Sequence, residues 1–338
     1  MRLLATAALL ALGLLVSRPP VVVGDAPDGL ETLADYIARF GECTDTLSLP
    51  TLSQRPDTHI QHTPGGCDYG GLPGYWNSTA RDAGTAWRVL TPGCATRNLL
   101  PQHAGTADCK GGPKRPPKIV LILGDSVDRE LVQGASKFLD LELLKCRRVR
   151  VLQPACGDAV VATMHLYGVS MEGPWHYNIS EPYTSILKGA VEHDWRGHYK
   201  LPDPDLVVMN SNMWDISRAY QLAQANLTND WNMRMLPRAF VDEWLANATV
   251  MVNFVKRTFP HAALAWHTVA PGSHKYDAYG TMNHLTIGRH SFVVQLNAAG
   301  RMLAQRFGMS LVDYDQMVAG FHDWSYLKDQ HHPSEQSS

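Results

Sequence analysis

Apolar runs and helical stripes alternate along the second two-thirds of the chain. Lys118–Gly124 is an unbroken β-branched and leucine run, bounded by Pro116-Pro117 before and Asp125-Ser126 after, which predicts a strand buried on both faces. From Asp128 to about Leu144, acidic residues come first and Leu131, Ala135, Phe138 and Leu139 recur at helical spacing, so a helix should open just after Ser126. Arg147 to Pro154 alternates Val149 and Val151 against Arg148 and Arg150, the pattern of a second strand, and Ala159 to Val169 reads as another extended piece. Asp205–Asn210 is a third buried strand, closed by Asn210-Ser211-Asn212. A helix over Arg238 to Lys256 carries the stripe Val241, Trp244, Ala248, Met251 and Val255. Ala262–Val269 gives a strand, Ile287–Phe307 a helix with Phe292, Leu296, Ala299, Leu303 and Phe307 on one side, and Ser310–Tyr314 the last strand. This alternation predicts an α/β domain with a central parallel sheet, right-handed crossovers and helices on both faces.

The first third of the chain is different. Apart from a short amphipathic run, Leu30 to Phe40, residues 25–117 are rich in Gly, Pro, Thr and Asp and hold four of the six cysteines, which predicts a small cysteine-rich N-terminal cap. Within it, Cys67-Asp68-Tyr69 with Gly74-Tyr75-Trp76, and Trp87 with Pro92-Gly93-Cys94, read first as aromatics packed over disulfides. The turn-rich Gly111–Pro117 marks the boundary to the α/β domain at 118–338. Met1-Arg2, the apolar run Leu3–Val16 and the small residues before Asp25 predict a signal peptide over 1–24. A membrane anchor is the competing reading, but the run is short of the roughly 20 residues of a span and is interrupted by Arg18-Pro19-Pro20. Asn77, Asn178, Asn226 and Asn247 each open an Asn-x-Ser/Thr acceptor, and the six cysteines then read as disulfides of an oxidising compartment, extracellular or the Golgi lumen.

Charge excludes one class of partner. Thirty Lys and Arg stand against thirty-two Asp and Glu, and no basic stripe extends beyond Lys114-Arg115 and Lys145-Cys146-Arg147-Arg148, so nucleic acid is not expected. The chain has no G-x-S-x-G elbow, G-x-G-x-x-G, phosphate-binding loop or H-E-x-x-H, and no cofactor is expected. His322, Asp323, His331 and His332 match no metal-ligand spacing, so no metal site is expected, and His193 and His198 read as loop surface. One coherent set remains. Ser126 stands where a buried strand hands over to a helix, where helix N–H groups stabilise an oxyanion. Asp329 and His332, three residues apart near the end of the chain, have the types of an orienting acid and a general base. For Ser126 the competing role is a helix N-cap, and for His332 a residue of a polar tail.

Gly124-Asp125-Ser126, the Asn210 to Asn212 block and Asp329-x-x-His332, in that order, resemble the three blocks of the SGNH/GDSL hydrolase superfamily. Gly124-Asp125-Ser126-Val127-Asp128-Arg129, with its Arg three residues after the Ser, and Met209–Arg218 are similar to the PC-esterase branch, which includes the trichome-birefringence-like polysaccharide O-acetyltransferases. The resemblance covers Lys118 to Pro333 and, more loosely, the cysteine-rich segment. It implies an SGNH-like three-layer sandwich and a serine esterase or O-acyltransferase acting on a small-molecule or polysaccharide acyl ester. Ser126, His332 and Asp329 would be the triad. Arg129, Gly157 and Asn210 or Asn212 would be the oxyanion and substrate-binding groups. The rival expectation is a secreted glycan-binding or structural protein with the same fold and no chemistry.

Overall fold

Seven strands form the central sheet of the chain's computed structural model, which describes residues 33–47, 74–76, 87–91, 94, 117–138, 141–152, 159–169, 183–225, 235–270 and 290–318, all within one compact unit, Thr32–Ser338. In chain order the elements are α1 (Leu33–Phe40), β1 (Gly74–Trp76), β2 (Trp87–Val89), β3 (Lys118–Gly124), α2 (Ser126–Phe138), β4 (Leu143–Cys146), β5 (Val149–Leu152) and β6 (Ala159–His165). They continue with α3 (Tyr183–Gly189) running into a π-helix (Ala190–His198), β7 (Leu206–Met209), α4 (Met213–Ala225), α5 (Arg238–Thr258), β8 (Ala263–His267), α6 (His290–Phe307), β9 (Ser310–Val312) and α7 (Tyr314–Val318).

The sheet order is β4-β5-β6-β3-β7-β8-β9. β6, β3, β7, β8 and β9 run parallel, while β5 is antiparallel to both of its neighbours. The expected central parallel sheet is present in these five strands, and β4 and β5 extend it at one edge as an antiparallel hairpin. One sequence expectation is corrected there: the predicted helix to Leu144 stops at Phe138, so that Leu143–Cys146 becomes a strand. The cause is the two-residue turn Arg147-Arg148, which folds β5 back on β4 as a hairpin, the connection available only to antiparallel strands. Strand order reverses about β3: the chain moves from β3 to β6 on one side, then to β7, β8 and β9 on the other. Helices flank the sheet: α2 packs on β3 and β6, and α6 packs on β8, β9 and α5.

Inside the sheet, Ile119, Leu121 and Leu123 have no exposed surface, and Trp195, Trp244 and Trp266 are enclosed by the helical layers. Burying a large apolar side chain contributes about 2–3 kcal/mol, so this core dominates stability. Predicted stripes are right in period but turned slightly about their axes. α5 buries Phe240, Trp244, Ala248, Met251, Val252 and Val255, with Val241 only half-buried. α2 buries Val127, Asp128, Val132 and Ser136, because small residues at Gly134 and Ser136 let that face approach the sheet. Asn247 is half-buried on α5, its backbone carbonyl accepting from the Tyr183 hydroxyl at 2.9 Å.

α1 is tied into the main core. Tyr36 is fully buried and donates to Asp194 on the π-helix at 2.9 Å, Arg147 pairs with the other oxygen of Asp194 at 2.6 Å, and a disulfide joins Cys43 to Cys146. His193 and His198 lie on this π-helix, half-buried, and not on a surface loop: His193 packs on Tyr36 and His198 bonds to the Asp45 carbonyl. Buried Asp194 and Trp195 seat that helix, a role its polar sequence conceals. The two aromatic-bearing stretches of the N-terminal segment pair as the antiparallel strands β1 and β2. Cys67, Cys109, Cys156 and the acceptors Asn77, Asn178 and Asn226 lie outside the described residues. No helix among the described residues is long and apolar enough to cross a membrane.

Candidate active site

The carboxyl ends of β6, β3 and β7 meet where strand order reverses, the position at which open α/β sheets bind ligands. Ser126 is the first residue of α2, immediately beyond the end of β3. The side chain that caps this helix is Asp125, whose Oδ1 accepts the Val127 N–H at 2.8 Å while its carbonyl accepts the Arg129 N–H at 3.2 Å. The N-cap role weighed for Ser126 is therefore filled by its neighbour.

Two residues beyond the serine, Asp128 joins the expected Asn210 and the unexpected His267 in a buried polar group. Asp128 Oδ2 accepts from Asn210 Nδ2 at 2.9 Å, and Oδ1 lies 3.5 Å from His267 Nδ1. Burial pushes the Asp128 carboxyl up to about 7 and pushes the His267 imidazole down to about 4, so the pair is neutral through much of the acid range and is not an ion pair. Asp128 comes so close to β3 that a Cβ on Gly124 would sit 1.9 Å from its Oδ2, which is why the residue before Asp125-Ser126 has no side chain. Both acid and imidazole end or follow apolar strands at the ligand end of the sheet. That placement of a polar residue is the sequence signal that finds them.

The block after β7 is bound into the scaffold. Asn212 Nδ2 donates to Asn297 Oδ1 at 3.1 Å, and Asn297 in turn holds both the N–H and the carbonyl of Val269. Ser211 donates to Asp215, accepts the Val169 N–H at 2.9 Å, and Trp244 donates to the same Asp215 at 3.1 Å. Asn210 and Asn212 thus each give one amide hydrogen to a neighbouring side chain, and each has a buried Oδ1 without a hydrogen bond. Arg129, one turn into α2, reaches Glu130 at 3.3 Å and has a buried Nε with no partner. Its guanidinium borders a cavity of about 340 Å³ that it shares with Arg148, Arg150, His165 and Tyr167.

His165 ends β6 in register with Gly124, and its ring interacts with the Asp125 backbone. Burial, with the charges of Arg148, Arg129 and Arg150, pushes this imidazole down to about 3. A base is most effective near the working pH, so His165 and His267 are both mismatched to general-base work at neutral pH. Asp329, His332 and Gly157, and with them the expected Ser126–His332 approach, lie outside the described residues. For a metal, the single candidate group among the described residues is Cys43, Cys146 and His198, and its two sulfurs are joined as a disulfide.

No protein-family model matches the chain, and no curated protein matches it. Among solved structures it is similar to a GDSL-like lipase from Bacteroides thetaiotaomicron, at 15% identity and TM-score 0.37 over 65% of this chain and 82% of that one. It is also similar to a carbohydrate esterase family 3 protein from Talaromyces cellulolyticus, at 18% identity and TM-score 0.33 over 65% and 91%. An acetyl esterase variant crystallised with acetate aligns at 17% identity and TM-score 0.34 over 65% and 91%.

Proposed function

We propose that the chain is a serine enzyme of acyl-ester chemistry, an esterase or O-acetyltransferase of the PC-esterase type that acts on glycan hydroxyls. The observation that carries this reading is the position of Ser126: the first residue of a 13-residue helix, at the carboxyl end of the central strand, with its helix capped by another side chain. In the proposed mechanism Ser126 attacks the acyl carbon, and His332 takes the hydroxyl proton and returns it to the leaving oxygen, with Asp329 orienting the imidazole. The oxyanion is held by the Ser126 amide and Arg129, with Gly157, Asn210 or Asn212 as further donors. Water as the acceptor of the acyl-serine makes the enzyme an esterase, and a sugar hydroxyl makes it a transferase.

The same reading places the protein in the secretory pathway, extracellular or in the Golgi lumen, with residues 1–24 removed, a cysteine-rich segment over 25–117 and the catalytic domain over 118–338. The Cys43–Cys146 disulfide supports an oxidising compartment. Fluorophosphonate labelling of the full-length secreted protein tests the chemistry. Label is expected on Ser126, with loss in Ser126→Ala and strong reduction in His332→Ala. Folded protein that takes no label at Ser126 would instead favour the inactive glycan-binding reading.

A further inference from the structure

The hairpin that closes the antiparallel edge of the sheet does more than end it. Val149 and Val151 point into the core, so Arg148 and Arg150, at alternate positions, share the opposite face. The turn is fixed by an unusual backbone: Arg147 has φ 47°, in the left-handed region that non-glycine residues seldom occupy. Its ion pair with buried Asp194 and its bond to the Gly41 carbonyl hold it there. The strained turn thereby delivers Arg148 to a defined place, with its guanidinium 4.6 Å from the Phe40 ring centre and 4.7 Å from that of Tyr167.

Charge in this cavity is unbalanced. Asp194 answers Arg147, and Glu130 reaches Arg129 at 3.3 Å. Among the described residues, Arg150 donates to a neutral group, Gln133 Oε1, at 3.1 Å and feels Glu130 only through its charge, and Arg148 is held by aromatic faces and not by a carboxylate. Among the described residues, no Asp or Glu lines the cavity of about 340 Å³. Its one imidazole, His165, is neutral at neutral pH. Several half-buried guanidinium groups gathered around one cavity repel one another, and an anion relieves that repulsion while accepting their forked N–H donors. Such a volume is within the range of small-ligand pockets. Its neighbour is the serine: Arg129 lies on the turn that Ser126 opens, and His165 interacts with the Asp125 backbone.

We propose that the arginine-lined cavity beside Ser126 is an anion-binding subsite that selects acyl esters of acidic sugars, those bearing a carboxylate or a sulfate. The substrate half of this inference rests on the esterase or transferase reading above; the anion half does not. The stacked Arg148 is pre-ordered for a bidentate contact, and Arg150 and Arg129 supply the second and third donors.

Calorimetric titration of the full-length protein tests the subsite without turnover, with methyl glucuronoside, its neutral methyl ester and glucose 6-sulfate as probes. Saturable binding of at least one acidic sugar is expected, with none of the neutral ester, and the stronger of the two acids identifies the anion. Arg148→Gln and Arg150→Gln should each weaken that binding about tenfold, the cost of one hydrogen-bonded charge contact. Arg148→Lys, which keeps the charge and loses the fork, should fall between wild type and Gln, and serves if a Gln variant does not fold. No saturable binding of either acid, or unchanged affinity in a natively melting Arg148→Gln/Arg150→Gln protein, overturns the subsite. Acidic-sugar binding with no acetyl-ester turnover keeps the subsite and removes the esterase reading. Turnover with the same kcat/KM for acidic and neutral acetyl sugars does the reverse.

Discussion

Replacing Asp128 by Asn tests whether the carboxyl two residues beyond Ser126 is held neutral. Asn has the same shape, keeps an acceptor for Asn210 Nδ2, and turns an N–H toward His267 Nδ1, which is buried and makes no hydrogen bond in the wild type. Burial raises the folded-state carboxyl from 3.8 to about 7. A carboxyl with its folded pKa above its unfolded one binds a proton more tightly in the native state. Its contribution is therefore fully present below about pH 4 and is lost as pH rises through about 7. At roughly 1.4 kcal/mol per pH unit, that rise is worth on the order of 4 kcal/mol. His267 has the opposite sign: its folded value lies near 4 and its unfolded value near 6.5, so stability increases with pH across that window. In the wild type the two slopes oppose each other; in the variant the Asp128 slope is gone, while those of His267, His165 and Asp194 are common to both proteins. Urea unfolding from pH 4 to 8 should show variant stability, relative to wild type, climbing by several kcal/mol and ending above it. A variant that loses stability relative to wild type as pH rises would refute the reasoning, since Asp128 would then be ionised and matched by an imidazolium.

Three further outcomes are expected. Gly124→Ala should destabilise by about 1–3 kcal/mol in urea unfolding, because its Cβ meets the pinned Asp128 carboxyl group, and Asp128→Ala in the same chain should restore part of that loss. Cys146→Ser, with Cys43→Ser to avoid a lone thiol, opens a loop of sequence separation 103 and should cost about 2–5 kcal/mol under non-reducing conditions. Arg129→Lys, if its fork holds the oxyanion, should lower kcat for an acetyl ester roughly a hundredfold or more while the melting temperature stays near wild type; a destabilised variant with normal turnover per folded molecule would remove Arg129 from the oxyanion site.

The elements legible in the sequence are those whose own residues carry a period. β3 and β7 are continuous apolar runs, and α5 and α6 keep a stripe over 21 and 18 residues, so the parallel half of the sheet follows directly from the chain. Where a partner sets the structure, the pattern misleads. Leu143–Cys146 continues the apolar spacing of the preceding helix, yet pairing with Val149–Leu152 makes it a strand. His193 and His198 read as loop surface until Asp194 between them is seen to answer both Tyr36 and Arg147. The carbonyls and side chains that fix these choices lie far along the chain: Tyr36 and Asp194 are 158 residues apart.

The same distinction divides the site. The position of Ser126 is legible because it is local, the junction of one strand with one helix, and both flanks are written around it. Asp128 reads in the sequence as an ordinary first-turn acid favouring the helix N-terminus. Its actual state depends on Asn210, 82 residues away, and on His267, which between them remove it from water. Arg148 and Arg150 show the limit from the other side. Alternation with Val149 and Val151 identifies them as the polar face of a strand, and such a face is ordinarily solvated. Here α2 delivers Arg129 against that face and the end of β6 delivers His165, so a polar stripe becomes the wall of a cavity. A basic pair too short to suggest a binding surface by count acquires one through the turn at Arg147, whose left-handed backbone is held by a carboxylate on the π-helix. Charge density at a site is thus set by which elements the topology stacks together, and a near-neutral chain carries a strongly positive cavity without contradiction.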